Sequence, residues 1–447
     1  MQKAVLASVE TSTKNAISPS VQFVNNPIFT GKVYLEQWGD NSKPSIILIH
    51  GLGDDGIKDW RFLAPVLAKS FHVIAFDLPG FGRSGKDNEL FSPDNYARLV
   101  DWLATHYARR PFTLIGHSMG GVIALSYATM YPGDLKQLIL VDAVGILHPA
   151  TFSKSLLDNY KPLWWMHLIP DTVELNKLLG FSIDDFYNAP QAIEIALSSP
   201  ITRKIFLDAN PSRIAGLAMT QKDFSGLLKR VTMPALIVWG DNDGIAPLRT
   251  GQMLDFLLPN SRLVVIPNAK HEPMLDTTAR FNQLILNAVT IPQPPVTNSQ
   301  TFDKYQHHKD EQCNNQDDVH YSGYYRRLVI NNCHYVTIEN AKINQLDITG
   351  SNVTITNSDI GGGKDALKVS ASMIFATATK LHGIIPVHAD DSRLDFAGVL
   401  ITGRKQAFNS TTAFQITFSL CEVTSPQFTG YRHGVYKFLP GEGMVQE

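Results

Sequence analysis

Gly116-His117-Ser118-Met119-Gly120 is the stretch that decides the fold of this chain. It follows the apolar run 112–115 and precedes a run of small and apolar residues, 121–130, that can form a helix. A serine between two glycines, where a strand meets a helix, is typical of a nucleophile elbow, whose glycines permit close packing. An ordinary glycine-rich turn is the alternative. The elbow predicts that the Ser118 hydroxyl stands at a helix N-terminus, where the Met119 N–H can face an oxyanion.

Strands and helices alternate on both sides of this stretch. Strands are predicted at 32–38, 45–49, 71–76, 112–115, 137–141, 235–239 and 262–266, and helices at 60–69, 95–109, 121–130, 247–258 and 276–290. This alternation predicts an α/β fold with a mostly parallel sheet and helices on both faces. It is interrupted at about 145–230, where aromatic residues, prolines and helix-like segments predict a helical insertion.

The length and the composition limit the remaining possibilities. A chain of 447 residues is too long for one typical core, so at least two domains are expected. With 39 basic and 41 acidic side chains the formal charge is −2, which gives no reason to expect a nucleic-acid partner. The first ten residues do not resemble a signal peptide, which predicts a cytoplasmic protein. Export is the alternative if the true start lies upstream.

The chain changes character after a proline-rich segment. Residues 1–20 are predicted to be a flexible tail, 21–291 the α/β domain, 292–318 a linker and 319–447 a β-rich accessory domain. Short β-type runs broken by Asn, Gly and Asp recur from 328 to 369. Their close, regular spacing is typical of a β-solenoid, with a β-sandwich as the alternative. The three cysteines, Cys313, Cys333 and Cys421, leave room for one pair.

Two further loops carry the side chains that a nucleophilic serine needs. Acyl transfer by serine requires a base, an acid that orients the base, and donors for the oxyanion. Asp243 follows one predicted strand and His271 follows the next. Both therefore belong to the carboxyl edge of the sheet, where Ser118 is also expected and where open α/β sheets bind ligands.

Residues 30–290 resemble the α/β-hydrolase family. The matching motifs are His50-Gly51, Asp77-x-x-Gly80-x-Gly82-x-Ser84, the elbow, Trp239-Gly240-x-x-Asp243, and His271. The resemblance implies Ser118 as nucleophile, His271 as base and Asp243 as the orienting acid. It also implies an oxyanion hole formed by the N–H groups of Leu52 and Met119, and a lid formed by the insertion. Asp241 and Asp142 are the rival acids, and Asp241 is expected to serve the turn.

A dinucleotide fingerprint is the competing interpretation of the first loop. Gly51, Gly53 and Gly56 form G-x-G-x-x-G between a predicted strand and helix, and Asp77 follows at the distance expected of a ribose-binding acid. However, Asp54 and Asp55 would place carboxylates beside a pyrophosphate. The elbow and its partners would also stay unexplained, so no cofactor is predicted.

The remaining candidates are pocket residues. His50 is expected to brace the oxyanion loop, and His117 to line the pocket or to pack. Trp164 and Trp165 of the insertion are candidate lining residues of an acyl pocket, although packing within the lid is the simpler expectation. The C-terminal histidines and cysteines have no zinc-ligand spacing, so no metal is predicted.

The sequence predicts a serine esterase or lipase-like enzyme that acts on a small-molecule or lipid ester. Its C-terminal domain is a candidate for contact with a glycan or a membrane surface. A serine at the elbow disfavours relatives that use aspartate there, namely haloalkane dehalogenases and epoxide hydrolases. Hydrolysis of C–C bonds or thioesters with the same triad, and an inactive scaffold with this fold, remain the alternatives.

Overall fold

The computed structural model describes residues 18–53, 56–87, 90–148, 210–291 and 309–446. Most of the predicted lid, including Trp164 and Trp165, lies outside these residues. So do residues 1–17 of the predicted tail and residues 292–308 of the predicted linker. The described part of the chain has two regions, an N-terminal α/β region and a C-terminal all-β region, as the sequence predicts.

The N-terminal region is built on an eight-stranded sheet. In space the strands follow the order β1-β2-β4-β3-β5-β6-β7-β8. The first two strands are antiparallel to their neighbours, whereas β4, β3 and β5 to β8 are mutually parallel. The strands are β1 (Ser20–Val24), β2 (Val33–Trp38), β3 (Ser45–Ile49), β4 (His72–Phe76), β5 (Phe112–His117), β6 (Leu135–Val141), β7 (Ala235–Gly240) and β8 (Ser261–Ile266).

The central strands are buried along their whole length. Every residue of β3, β4, β5 and β7 is shielded from solvent, which explains their continuous apolar sequences. Two apolar clusters pack on the sheet. The helices of this region are α1 (Ala64–Leu67), α2 (Pro93–Tyr107), α3 (Met119–Met130), α4 (Pro211–Thr220), α5 (Leu248–Leu257), α6 (Pro273–Asp276) and α7 (Thr278–Thr290).

The C-terminal region consists of strands from Lys309 to Gln446. Its first described strand, β9 (Lys309–Asn314), lies inside the range predicted to be a linker. The sequence did not predict this strand because only Cys313 of it is buried, so the apolar pattern of a strand is missing. The others are β10 (His320–Asn331), β11 (Val336–Thr349), β12 (Asn352–Thr356), β13 (Asp359–Gly361), β14 (Leu367–Ser370), β15 (Met373–Thr377), β16 (Lys380–Gly383), β17 (Val387–Asp390), β18 (Arg393–Ala397), β19 (Leu400–Gly403), β20 (Phe408–Asn409), β21 (Phe414–Thr424), β22 (Thr429–Leu439) and β23 (Gly443–Gln446).

These strands stack in three parallel columns. The columns are β11-β14-β17-β20, β12-β15-β18-β21 and β13-β16-β19-β21. Paired residues such as Leu346 and Leu367 lie about 20 residues apart in sequence, and like residues recur on the buried side. This arrangement favours the solenoid over the sandwich, whose neighbouring strands would be antiparallel. Among the described strands of this region, the antiparallel pairs are β21 with β22 and β22 with β23, at the C-terminal end.

One pair of cysteines is joined. Cys313 of β9 and Cys333, which follows β10, form a disulfide between neighbouring turns of the chain. Cys421 is a buried free thiol, and burial raises its pKa to about 12. None of the three lies at the elbow.

The two regions contact each other along helix α5. Arg249 Nη2 lies 3.1 Å from Asp395 Oδ1, and its Nε donates to Thr377 Oγ1 at 3.1 Å. Gly398 has a φ of +61° and packs so closely on Met253 that a β-carbon there would come within 2.6 Å of the Met253 Cγ. The contact therefore combines polar bonds at Arg249 with close apolar packing at Met253.

Two histidines at this contact predict a pH-dependent stability. His148, after β6, packs edge-on against His433 of β22, with 5.2 Å between ring centroids. Burial and, secondarily, His433 lower the pKa of His148 from 6.5 to about 4, and burial also lowers that of His433. The unfolded chain then binds protons more readily than the folded one, so stability is lost as the pH falls from 6.5 toward 4.

The measurement is the melting temperature of the full chain from pH 7 to pH 4, for the wild type and for His148→Phe. The variant keeps an aromatic ring but cannot gain a proton, so its loss on acidification should be smaller. Equal losses in the two proteins would contradict this interpretation.

Candidate active site

Ser118 occupies the sharp turn between β5 and α3. Its φ is +53° and its ψ is −118°, a conformation that costs free energy for any residue with a side chain. A β-carbon at Gly116 would collide with the carbonyl oxygen of Gly120, and one at Gly120 would collide with that of Ile49. The two glycines therefore permit a close approach of strand and helix, which is what the pattern predicts for an elbow.

Three side chains from three loops meet at this turn. His271 Nε2 lies 2.9 Å from Ser118 Oγ, and His271 Nδ1 lies 2.8 Å from Asp243 Oδ2. Asp243 follows β7 and His271 follows β8, so both loops leave the carboxyl edge of the sheet, as does the elbow. The structure brings the three predicted triad residues together within hydrogen-bonding distance.

The Asp243 carboxylate is held as a hydrogen-bond acceptor. Its Oδ1 accepts the N–H groups of Ile245 at 2.7 Å and Ala246 at 2.9 Å, which leaves Oδ2 for the imidazole. Burial acts to raise the pKa of Asp243, but the hydrogen bond and charge of His271 and the backbone donors outweigh it. The net pKa lies below the usual value, so this carboxyl is ionised at neutral pH.

The two rival acids have other surroundings. Asp241 is exposed, and its Oδ1 accepts the N–H of Asn268 at 2.6 Å, which braces the two loops as expected of a turn residue. Asp142 is fully buried at the end of β6, where its Oδ1 accepts the N–H of Gly240 at 2.9 Å. Burial and then the Asp243 charge raise the pKa of Asp142 well above its usual value, so Asp142 is a poorer candidate than Asp243 for a charged partner of the base.

The predicted oxyanion donors lie on two sides of Ser118. Met119 is the first residue of α3, where helix N–H groups without intrahelical partners favour negative charge. On the other side, a β-carbon at Gly51 would come within 3.1 Å of the Ser118 Cβ, so the loop that carries Leu52 packs directly on the serine. The Leu52 side chain is 43% exposed, and its N–H stays a predicted donor.

His50 and Asp77 hold the loops beneath the site. His50 Nδ1 lies 2.7 Å from the Gly51 carbonyl oxygen, and the N–H of Leu78 lies 2.9 Å from His50 Nε2. The ring therefore donates through Nδ1 and accepts through Nε2. It is neutral, in keeping with a pKa lowered chiefly by burial. His50 thus braces the oxyanion loop and has no exposed surface for a pocket.

The buried Asp77 carboxylate accepts the N–H of Ile57 at 2.7 Å and that of Arg83 at 2.8 Å. It is therefore occupied in joining two loops. This is a structural role that the dinucleotide interpretation would not require.

His117 is almost fully buried, with 3% of its side chain exposed, and it faces Asp59 and the His271 backbone. Asp59 is a residue that the sequence analysis missed. Its partner lies 58 residues away in sequence, and no local pattern connects them.

Across the described ranges, no group of three His, Cys, Asp or Glu side chains could hold a metal ion. No helix in the same ranges is both long and apolar enough to span a membrane.

Comparison with known proteins matches the part of the chain that contains the site. A family model described as the alpha/beta hydrolase fold matches residues 44–278. The chain belongs to the α/β-hydrolase family. The matched segment contains the elbow, Asp243 and His271, so the resemblance seen in the motifs is confirmed.

Individual relatives of this α/β-hydrolase carry different names. Lipase 1 of Psychrobacter immobilis is 29% identical over 55% of this chain and 78% of its own length. A 2-hydroxy-6-oxononadienedioate/2-hydroxy-6-oxononatrienedioate hydrolase of Klebsiella pneumoniae is 25% identical over 58% of this chain and 91% of its own. The solved structure of a putative lipase from Acinetobacter baumannii is 25% identical, covering 63% of this chain and 95% of that one, with a TM-score of 0.45.

Proposed function

We propose that this α/β-hydrolase cleaves carboxylic esters through an acyl-enzyme on Ser118. The observation that carries the proposal is the continuous pair of hydrogen bonds from Asp243 through His271 to Ser118 Oγ. A serine hydroxyl is a weak nucleophile unless an adjacent base takes its proton and a third group orients that base. The lipase among the relatives supports the same chemistry.

The proposed reaction uses each group once in each half. Ser118 Oγ attacks the ester carbonyl carbon while His271 Nε2 takes the hydroxyl proton. The N–H groups of Met119 and Leu52 stabilise the oxyanion of the tetrahedral intermediate. When the C–O bond breaks, His271 returns the proton to the leaving alcohol, and the acyl group stays on Ser118. Water then attacks the acyl carbon and gives a proton to His271. When the bond between the acyl carbon and Ser118 Oγ breaks, His271 returns that proton to Ser118 Oγ, and the carboxylic acid is released.

Carbon–carbon bond hydrolysis is a second candidate, because a relative of similar identity is named as a hydrolase of an oxo-dienedioate. The same triad can serve that reaction, and thioester hydrolysis as well. Initial rates of the full chain on p-nitrophenyl esters, acyl thioesters and a 2-hydroxy-6-oxo-dienedioate separate the three. The proposal expects the ester kcat/KM to be the largest. If kcat/KM for the dienedioate exceeded that for the ester, C–C bond hydrolysis would take the place of ester hydrolysis as the proposed function.

An inactive hydrolase-fold scaffold is the candidate from another class. A fluorophosphonate probe distinguishes the two, because it reacts covalently only with an activated serine. The proposal expects stoichiometric labelling of the folded full chain at Ser118. Folded protein that stays unlabelled and is retained on a glycan or a membrane fraction would favour the scaffold.

We propose that the β region is a solenoid with an accessory role, such as contact with a glycan or a membrane surface. The parallel columns of strands support the solenoid. Ser118, Asp243 and His271 all precede Ile291, which supports a catalytic part that ends there. Access to large or surface-bound substrates is then a property of the β region.

Truncation tests this division. A chain that ends at Ile291 is expected to hydrolyse small soluble esters with a kcat close to that of the full chain, because no triad residue is lost. It is also expected to melt at a lower temperature, because Arg249 loses Asp395 and the apolar side of α5 becomes exposed. Its activity on lipid emulsions is expected to fall if the β region binds the surface.

Asp395→Asn in the full chain is the matched control, since it weakens the ion pair and keeps the β region in place. A truncated chain that is folded and soluble, yet inactive on small esters, would contradict the division and assign the β region a part in the site.

The disulfide bears on the compartment. Stable disulfides are typical of oxidising environments and rare in the cytosol. The Cys313–Cys333 bond therefore supports the exported alternative over the cytoplasmic prediction. Thiol labelling of the protein from its natural source, before and after reduction, tests this point: export expects one reactive cysteine after denaturation and three after reduction.

A further inference from the structure

A second pair of side chains adjoins the triad, and the proposed reaction does not use it. Asp59 belongs to the short 3-10 helix Gly56–Trp60, and His117 is the last residue of β5. His117 Nδ1 lies 3.3 Å from Asp59 Oδ2, and His117 Nε2 lies 2.8 Å from the backbone carbonyl oxygen of His271. Only 13% of the Asp59 side chain is exposed, so the pair is largely shielded from water.

The same carboxylate also holds the loop on the opposite side of the serine. Asp59 Oδ2 accepts the N–H of Gly51 at 3.1 Å. A β-carbon at Gly51 would come within 3.0 Å of His117 Nδ1 and 3.1 Å of the Ser118 Cβ, so the loop rests on both residues. The pair therefore links two backbone segments: the loop of the predicted oxyanion donor and the loop of the base.

Hydrogen-bond chemistry defines what His117 must supply. A carbonyl oxygen and an ionised carboxylate are acceptors only, so the His117 ring faces an acceptor at each of its two nitrogens. Burial acts to raise the pKa of Asp59, but His117 and the Gly51 N–H outweigh it, and the net pKa is below the usual value. Asp59 is therefore ionised, and the His117 ring lies between this carboxylate and the His271 carbonyl oxygen.

The other groups around His117 do not compete for these bonds. The His50 ring is neutral and uses both of its nitrogens elsewhere. The His271 ring, 5.1 Å from that of His117 between centroids, points its nitrogens at Ser118 and Asp243. The Trp60 ring packs edge-on at 6.4 Å. These neighbouring rings therefore leave the contacts of His117 with Asp59 and with the His271 backbone undisturbed.

We propose that Asp59 and His117 are positioning residues that set the distance between the oxyanion loop and the catalytic base. This inference rests on the proposed function of Ser118 and His271. It assigns His117 a role beneath the site in place of the predicted pocket lining. Loss of the pair would let the His271 and Gly51 backbones move apart, and a displacement of about 1 Å can cost 10²-fold in rate.

Variants of His117 separate the two bonds. Gln can place an amide donor near the original Nε2, and Asn can place one near the original Nδ1. We expect His117→Phe to lower kcat on small esters by about 10²-fold with KM changed less than about twofold, because substrate binding is not touched. His117→Gln should retain more activity than His117→Asn, since it keeps the bond to the His271 backbone. Asp59→Asn, which preserves shape, should also lower kcat.

A measurement without turnover distinguishes positioning from a failure of the proposed function. In the Ser118→Ala full chain, the proton between His271 Nδ1 and Asp243 should give a downfield resonance in the ¹H NMR spectrum. Adding His117→Phe or Asp59→Asn should shift or broaden this resonance while the chain stays folded. This readout does not depend on ester hydrolysis, so it still tests the pair if the substrate assignment is wrong.

His106→Gln is the matched control. His106 also bonds a backbone carbonyl oxygen, that of Trp102 at 2.7 Å, but it lies on the exposed side of α2. It should leave both kcat and the resonance unchanged. Full activity together with an unchanged resonance in Asp59→Asn and in the His117 variants would overturn the proposal. If His117→Phe does not fold, Asp59→Asn and His117→Gln decide it.

Discussion

Replacing Ser118 with alanine is expected to lower kcat on p-nitrophenyl esters by about 10⁶-fold, the size of effect found when a triad nucleophile is removed. The reason is that Ser118 Oγ, 2.9 Å from His271 Nε2, is the one hydroxyl among the described residues that bonds this nitrogen. Fluorophosphonate labelling should disappear at the same time. Residual hydrolysis above the rate in water is expected, because the oxyanion donors and substrate binding remain.

Ser126→Ala is the control for this variant. Ser126 is buried in α3, the same helix that Ser118 begins, and its hydroxyl has no hydrogen-bond partner among the described residues. Removing it should leave kcat and labelling close to the wild-type values. Unchanged ester hydrolysis in Ser118→Ala would contradict the acyl-enzyme hypothesis, because the reaction would then have to use a nucleophile at another site.

Replacing Asp243 with asparagine is expected to lower kcat by about 10⁴-fold while KM changes little. The Asp243 carboxylate accepts a hydrogen bond from His271 Nδ1, which leaves Nε2 free to take the serine proton. An asparagine amide can present a donor at that position and favour the wrong tautomer. The measurement is kcat at saturating ester, with labelling rate as a second readout.

The rival acids supply two matched controls. Asp241→Asn should be mild, because an amide oxygen can still accept the N–H of Asn268. Asp142→Asn should also be mild, because an amide oxygen can still accept the N–H of Gly240. If Asp241→Asn or Asp142→Asn were the crippling variant and Asp243→Asn the mild one, the acid would have to be reassigned.

Local sequence was sufficient for most elements of the α/β region, although it missed the strand Ser20–Val24 and extended the helix Ala64–Leu67 to 60–69. Apolar runs predicted its buried strands, and the Gly-His-Ser-Met-Gly turn predicted the elbow, because glycine is needed wherever a side chain would collide with a carbonyl oxygen. The order of serine, aspartate and histidine along the chain, each after a strand, predicted that they share one edge of the sheet. These are properties of short segments and of strand direction, so they can be recognised without tertiary contacts.

The sequence by itself determined the α/β fold, the elbow and the residues that converge on it. The tertiary structure was needed to show that Cys313 bonds Cys333 and that residues 309–314, within the predicted linker, form a strand. It also decided that Asp59 meets His117 across 58 residues. One physical cause applies to all three. Each depends on which distant segments pack together, and a partly buried polar side chain leaves no periodic pattern by which its partner can be recognised.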